Sequence, residues 1–188
     1  MEQLEVLDHT IRNLELLSLP YMVVGSYGSM AYGEIRLTRD IDIVIDLTPA
    51  DVSKLAAPYK ADPDFYIYEP GIQEAIRHGS QFNVIHTTSG NKVDFMIARK
   101  DAYGREQLAR RQKVFITPEI EGYTASAEDI VLGKLWYYVL GESEKHINDI
   151  AGIWRSCQLD LDYIDRWAPS LGAADAWKAL RARLEVAK

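Results

Sequence analysis

Cysteine is almost missing from this chain. Cys157 stands alone in 188 residues, which excludes an intrachain disulfide, and no Cys/His pairs at ligand spacing are present to build a structural zinc site. Stability must come from packing. No run approaches the roughly 18 consecutive apolar residues of a membrane span, and the opening "MEQLEVLDHT" lacks the charged-then-apolar pattern of a secretory leader. The expectation is a cytoplasmic protein with no membrane partner. Positive charge is also short: the formal net charge is -7, which on average repels nucleic acid. One stretch runs against this balance. In residues 99–113, "RKDAYGREQLARRQK", Arg99, Lys100, Arg105, Arg110, Arg111 and Lys113 face only Asp101 and Glu106, a local charge of +4 that leaves -11 for the rest. Such a segment is either a solvated helix face or a phosphate-contacting patch.

The two familiar phosphate loops are absent as well. Gly25, Gly28 and Gly33 do not fit the G-x-G-x-x-G spacing, and the pair Gly28-x4-Gly33 is followed by Glu34 where a P-loop requires lysine. What remains is a short apolar strand, "YMVVG", ending in Gly25-Ser26 at a helix that reads from Ser26 to Gly33. Backbone N–H groups and a hydroxyl at such a turn can hold phosphate.

The rest of the chain alternates strand and helix signals. Leu4, Leu7, Ile11, Leu14 and Leu17 repeat at helical spacing until Pro20. "DIDIVIDL" reads as a strand, and Thr48, Pro49 and Asp51 open another helix. "PDFYIYEPGIQEAIRHGS" predicts a strand fragment and a short helix, and "QFNVIHTT" and "NKVDFMIA" predict two strands joined by the turn-rich "SGN". "KVFITPEIEGYTA" alternates like an edge-strand pair, and the capping pattern Ser126-x-x-Asp129 opens helices that run to the end. The fold class expected is a mixed α/β (α+β) core over residues 1–118, then a helical region over 119–188.

Acids interrupt two of these strands in a patterned way. Successive side chains on a strand point to opposite faces, so Ile41, Ile43, Ile45 and Leu47 form one apolar face while Asp40, Asp42, Val44 and Asp46 form the other. Carboxylates one repeat apart lie about 7 Å apart at Cα. A second strand places Asp94 beside Met96 and Ala98, opposite Val93, Phe95 and Ile97. If the strands are neighbours, Asp40, Asp42 and Asp94 form one cluster whose mutual repulsion calls for a cation, with magnesium the natural partner of such oxygen ligands. One such acid would be a solvent-facing edge residue; three on two apolar strands argue for a site.

The string Val24-Gly25-Ser26, thirteen residues, then Asp40-Ile41-Asp42, with Asp94 as a third carboxylate, resembles the nucleotidyltransferase superfamily related to DNA polymerase beta. The finer sequence, Tyr32-Gly33, Arg36 and Thr38 ahead of the acids, is similar to the bacterial branch of AbiEii-type toxins. So is a later block with Glu128-Asp129, Lys134 and "EKHINDIAGIW". The resemblance implies a nucleotidyltransferase core followed by a C-terminal helical region, with nucleotide contacts from Gly25, Ser26, Arg36, Lys134 and Asp149. The chain departs from the branch at "ESEKHIND", where an arginine- or lysine-rich version is expected and Lys145 is the stand-in. His146, three residues before Asp149, could assist.

The chemistry follows from the acids. Two magnesium ions about 3.5–4 Å apart, held by Asp40, Asp42 and Asp94, would clamp an in-line displacement at the α-phosphate of a nucleoside triphosphate, with Asp94 placed to accept or orient the acceptor proton. Trp136, Tyr137 and Tyr138 read as helix packing rather than a base-stacking platform. Three acceptors or roles stay open. One is RNA, tRNA included, modified in the toxin manner, with Arg105, Arg110, Arg111 and Lys113 on the backbone and an antitoxin as partner. The second is a small molecule such as an antibiotic, since an acidic chain suits a cationic acceptor. The third is a non-catalytic partner-binding protein, against which the complete triad argues.

Overall fold

The computed structural model describes residues 1–33, 38–141 and 143–186, so Arg36 lies outside the described residues. Helix α1 (Gln3–Leu16) buries Val6, Leu7, Thr10, Ile11 and Leu14, while Leu4, counted in the predicted stripe, is exposed. Strand β1 (Tyr21–Val23) leads into the short helix α2 (Gly25–Met30), which ends before Gly33, and β2 covers Ile41–Ile45. Asp40 therefore sits one residue ahead of its strand. Next come α3 (Val52–Ala61), β3 (Phe65–Ile67), α4 (Glu69–His78) and the hairpin of β4 (Gln81–His86) and β5 (Lys92–Ile97). Helix α5 (Ala102–Ala109) precedes a second hairpin, β6 (Gln112–Thr117) and β7 (Ile120–Thr124), and the chain finishes with α6 (Ala127–Gly141), α7 (Glu144–Ser156), α8 (Leu161–Trp167) and α9 (Ala174–Val186).

The strands form one seven-stranded mixed sheet in the order β3-β4-β5-β2-β1-β7-β6. Pairing is antiparallel except for β2 with β5 and β1 with β7, which run parallel. Alternation along β2 sorts its side chains cleanly. Ile41, Ile43, Ile45 and Leu47 enter a first core with α1, α3 and α4, while Met22 and Val44 face a second core built by α6 to α9. The sheet is thus covered on both faces, and the acidic face of β2 looks toward the C-terminal helices. Because β7 belongs to the sheet, the helical region begins at Ala127 rather than at 119. No described helix is long and apolar enough to cross a membrane.

Candidate functional site

Strand β1 ends where the site begins. The Val24 N–H donates to the Asp42 carbonyl at 2.9 Å, and the next residue, Gly25, turns into α2 with φ +62. A Cβ at position 25 would lie 2.0 Å from Asp42 Oδ2, far inside van der Waals contact, and the left-handed backbone is itself unfavourable for a side chain. Glycine is required there by the Asp42 carboxylate. Ser26, predicted to hold phosphate, is buried within the first turn of α2, and the Ser29 hydroxyl closes that turn by donating to the Gly25 carbonyl at 2.8 Å.

Asp42 and Asp94 are direct partners in the parallel register of β2 and β5, and Asp40 lies two residues before Asp42 on the same face. Burial raises the Asp42 carboxyl above its ordinary 3.8, and the charges of Asp40 and Asp94 push it further; Lys134 and Lys92 pull the other way. Three carboxylates that feel one another, with hard oxygen donors on one face, fit a divalent cation by chemistry. Their present orientation is another matter: Asp94 is engaged by Lys92 at 2.5 Å, and among the described residues no three acidic or imidazole groups converge on a single point. A cation that took Asp94 would displace that ammonium.

Across from the acids, α6 and α7 contribute a second charged element. Lys134 Nζ lies 2.6 Å from Asp149 Oδ2, and both side chains are under a tenth exposed. A cavity of about 400 Å³ opens between the sheet and these helices, with Gly25, Ser26, Asp40 and Asp42 on one side and Lys134, Trp136, Tyr137, Lys145 and His146 on the other. Asp94, turned onto Lys92, is not in its lining. The cavity thus unites five of the predicted residues, Gly25, Ser26, Asp40, Asp42 and Lys134, and adds two aromatics, Trp136 and Tyr137, that sequence reading assigned to packing.

Asp129 also lines the cavity. The predicted cap is present, with the Asp129 N–H donating to Ser126 Oγ at 3.2 Å and that hydroxyl donating to Asp129 Oδ2 at 2.8 Å. The Tyr163 hydroxyl donates to the other oxygen at 2.9 Å. Burial nevertheless raises this carboxyl to about 6, against the opposing effect of these hydrogen bonds. A carboxyl raised in the folded state stabilises the fold below its unfolded value and loses that contribution as pH rises through the folded one. At about 1.4 kcal/mol per pH unit, the move from 3.8 to about 6 is worth about 3 kcal/mol. Asp129→Asn should therefore stay close to wild type near pH 4 and become more stable than wild type by pH 7, as read by urea denaturation at both values; a difference independent of pH would contradict the raised carboxyl.

The basic segment is largely satisfied from within. Arg110 pairs with buried Glu128 at 3.1 Å and lies 4.0 Å over the Tyr163 ring. Arg111 donates to the Leu108 carbonyl at 2.7 Å and covers Tyr123. Lys113 reaches Glu15 at 3.4 Å, Arg99 binds Asp101 at 2.5 Å, Lys100 binds Asp46, and Arg105 donates to the Lys100 carbonyl. Most of the excess charge is offset by acids far away in sequence.

No family model matches the sequence, and no curated protein does. Solved structures match in fold. The antibiotic-resistance factor ANT(2'')-Ia in solution is 15% identical with a TM-score of 0.56, over 98% of this chain and 97% of that one. The crystal structure of ANT(2'')-Ia in complex with adenylyl-2''-tobramycin is 14% identical with a TM-score of 0.53, over 99% and 98%. An antigenic nucleotidyltransferase-like protein from Paracoccidioides brasiliensis is 17% identical with a TM-score of 0.55, over 92% and 91%. The chain has a nucleotidyltransferase-like fold, extending over nearly the whole length of each neighbour.

Proposed function

We propose that this chain is a magnesium-dependent nucleotidyltransferase that moves a nucleoside monophosphate from a triphosphate to a hydroxyl of a small cationic acceptor. The observation that carries the reading is the close approach of the Gly25 turn to Asp42, with Asp94 beside it across the sheet, at the wall of a cavity of substrate size. Asp40, Asp42 and Asp94 would hold the divalent cations, which when bound neutralise charge at the α-phosphate and lower the pKa of the attacking hydroxyl. The chain's own groups do the remaining work. Gly25 keeps the phosphate turn against Asp42, and Ser26 supplies the hydroxyl of that turn. Lys134, oriented by Asp149, places positive charge opposite the acids, where a triphosphate needs it. Asp94, once released from Lys92, would accept or orient the acceptor proton.

Two observations favour a small cationic acceptor. Away from the acids assigned to the metal, the cavity carries the Asp129 carboxyl beside the Tyr103 ring, a combination that attracts cations. The fold neighbours also include the antibiotic-resistance factor seen with adenylyl-2''-tobramycin. RNA with an antitoxin partner, the expectation from the AbiEii-like motifs, draws less support because Arg110, Arg111 and Lys113 are already engaged within the chain. The test is incubation of the protein with magnesium and each labelled nucleoside triphosphate, with tobramycin and with total RNA as acceptors. Label in the aminoglycoside, stopped by a chelator, is the expected result. Label only in RNA, falling steeply with salt, would move the acceptor to RNA, and no transfer to either would overturn the reading.

A further inference from the structure

Helix α6 is apolar around most of its circumference, and Ile130, Val131, Leu132 and Leu135 are buried as such a helix requires. Two of its largest side chains are not. Trp136 and Tyr137 are 40% and 45% exposed, and both line the cavity beside Lys134. Large aromatic rings standing half open at a cavity wall keep their faces available for a flat partner. The ring planes are also held: Trp136 meets Tyr137 edge to face at 4.9 Å, and Tyr137 stacks on His146 of α7 at 5.7 Å and 20°.

We propose that Trp136 and Tyr137 form the stacking surface for the nucleobase of the triphosphate, an inference that rests on the function proposed above. Tyr137 lies three residues, nearly one helical turn, beyond Lys134, so a nucleotide whose phosphates lie between Lys134 and the acids has its base directed along α6. The Tyr137 ring and the Asp42 carboxyl line the same cavity. Lys134 and Lys145 share this wall, and they favour an anionic nucleotide over a cationic acceptor. The acceptor is left the part of the cavity lined by Met96, Tyr103, Gln107 and Asp129. Because every base has a π face, such a platform discriminates weakly among the four bases.

The experiment is titration calorimetry with magnesium and the non-hydrolysable α,β-methylene triphosphates of all four bases, and in parallel with inorganic tripolyphosphate, which has no base. Tyr137→Ala and Trp136→Ala should each weaken nucleotide binding by about fivefold to a hundredfold while leaving tripolyphosphate binding unchanged, and Tyr137→Phe should restore the affinity. Equal weakening of tripolyphosphate, or unchanged nucleotide affinity in both alanine variants, overturns the platform. Wild-type protein that binds nucleotide no tighter than tripolyphosphate overturns it too. If wild type binds neither, the proposed function falls as well; if wild type binds nucleotide and the variants match it, only the platform falls.

Discussion

Asp42→Asn should reduce nucleotidyl transfer by about a hundredfold or more and, in the same protein, raise thermal stability at neutral pH. The first effect follows from the removal of the carboxylate nearest both the Gly25 turn and Asp94. The second follows from the sign of its perturbation. Burial and the neighbouring charges raise this carboxyl in the folded state, so the fold is favoured while the group is protonated and penalised once pH exceeds the raised value. Asparagine keeps the shape and removes the penalty. Thermal melts at pH 3 and pH 7 with magnesium-dependent transfer assays read both effects: the midpoint should rise at pH 7 and stay nearly level at pH 3. Full activity in the purified variant would sink the assignment of the acids.

Lys134→Met should destabilise the protein by about 3–5 kcal/mol, the usual cost of leaving one partner of a buried ion pair without the other. Asp149 would keep its charge in a place where less than a tenth of its side chain meets water. The double variant Lys134→Met with Asp149→Asn removes both charges, and most of the stability should return. Nucleotide affinity should not return with it, because the positive charge opposite the acids is gone. Urea denaturation and nucleotide titration separate the outcomes: recovery of both properties in the double variant would mean that Lys134 only supports the fold.

How far the sequence discloses this architecture depends on the range of the forces involved. Alternation along "DIDIVIDL" sorted Asp40 and Asp42 from Ile41, Ile43 and Ile45 because a two-residue period is a local property, and the sheet indeed sends the isoleucines to one core. The hairpins around residues 87–91 and 118–119, and the cap at Ser126, were legible for the same reason. Three features were not. Gly25 reads as a turn residue, whereas its closest neighbour is the side chain of Asp42, seventeen positions on. The cations of residues 99–113 look unbalanced only because Glu15, Asp46 and Glu128, which offset them, are distant in the chain. In α6 an apolar residue at almost every position erases the 3.6-residue period, so nothing in "KLWYYVLG" tells the buried Leu135 from the exposed Trp136 and Tyr137.

The parallel pairing of β1 with β7 joins Val23 to Thr124, and that long closure has a kinetic meaning. Contacts between residues a hundred positions apart form late, since the chain must first lose the entropy of a large loop. Emerging from a ribosome, this polypeptide can assemble α1, β1 to β5 and their helices while the opposite side of the cleft is still being synthesised. Lys134 and Asp149 arrive afterwards, on helices that pack in the second core. The cavity between the acids and α6 is thereby completed only after translation has passed residue 150, and a nascent or prematurely terminated chain has the acids without the facing wall.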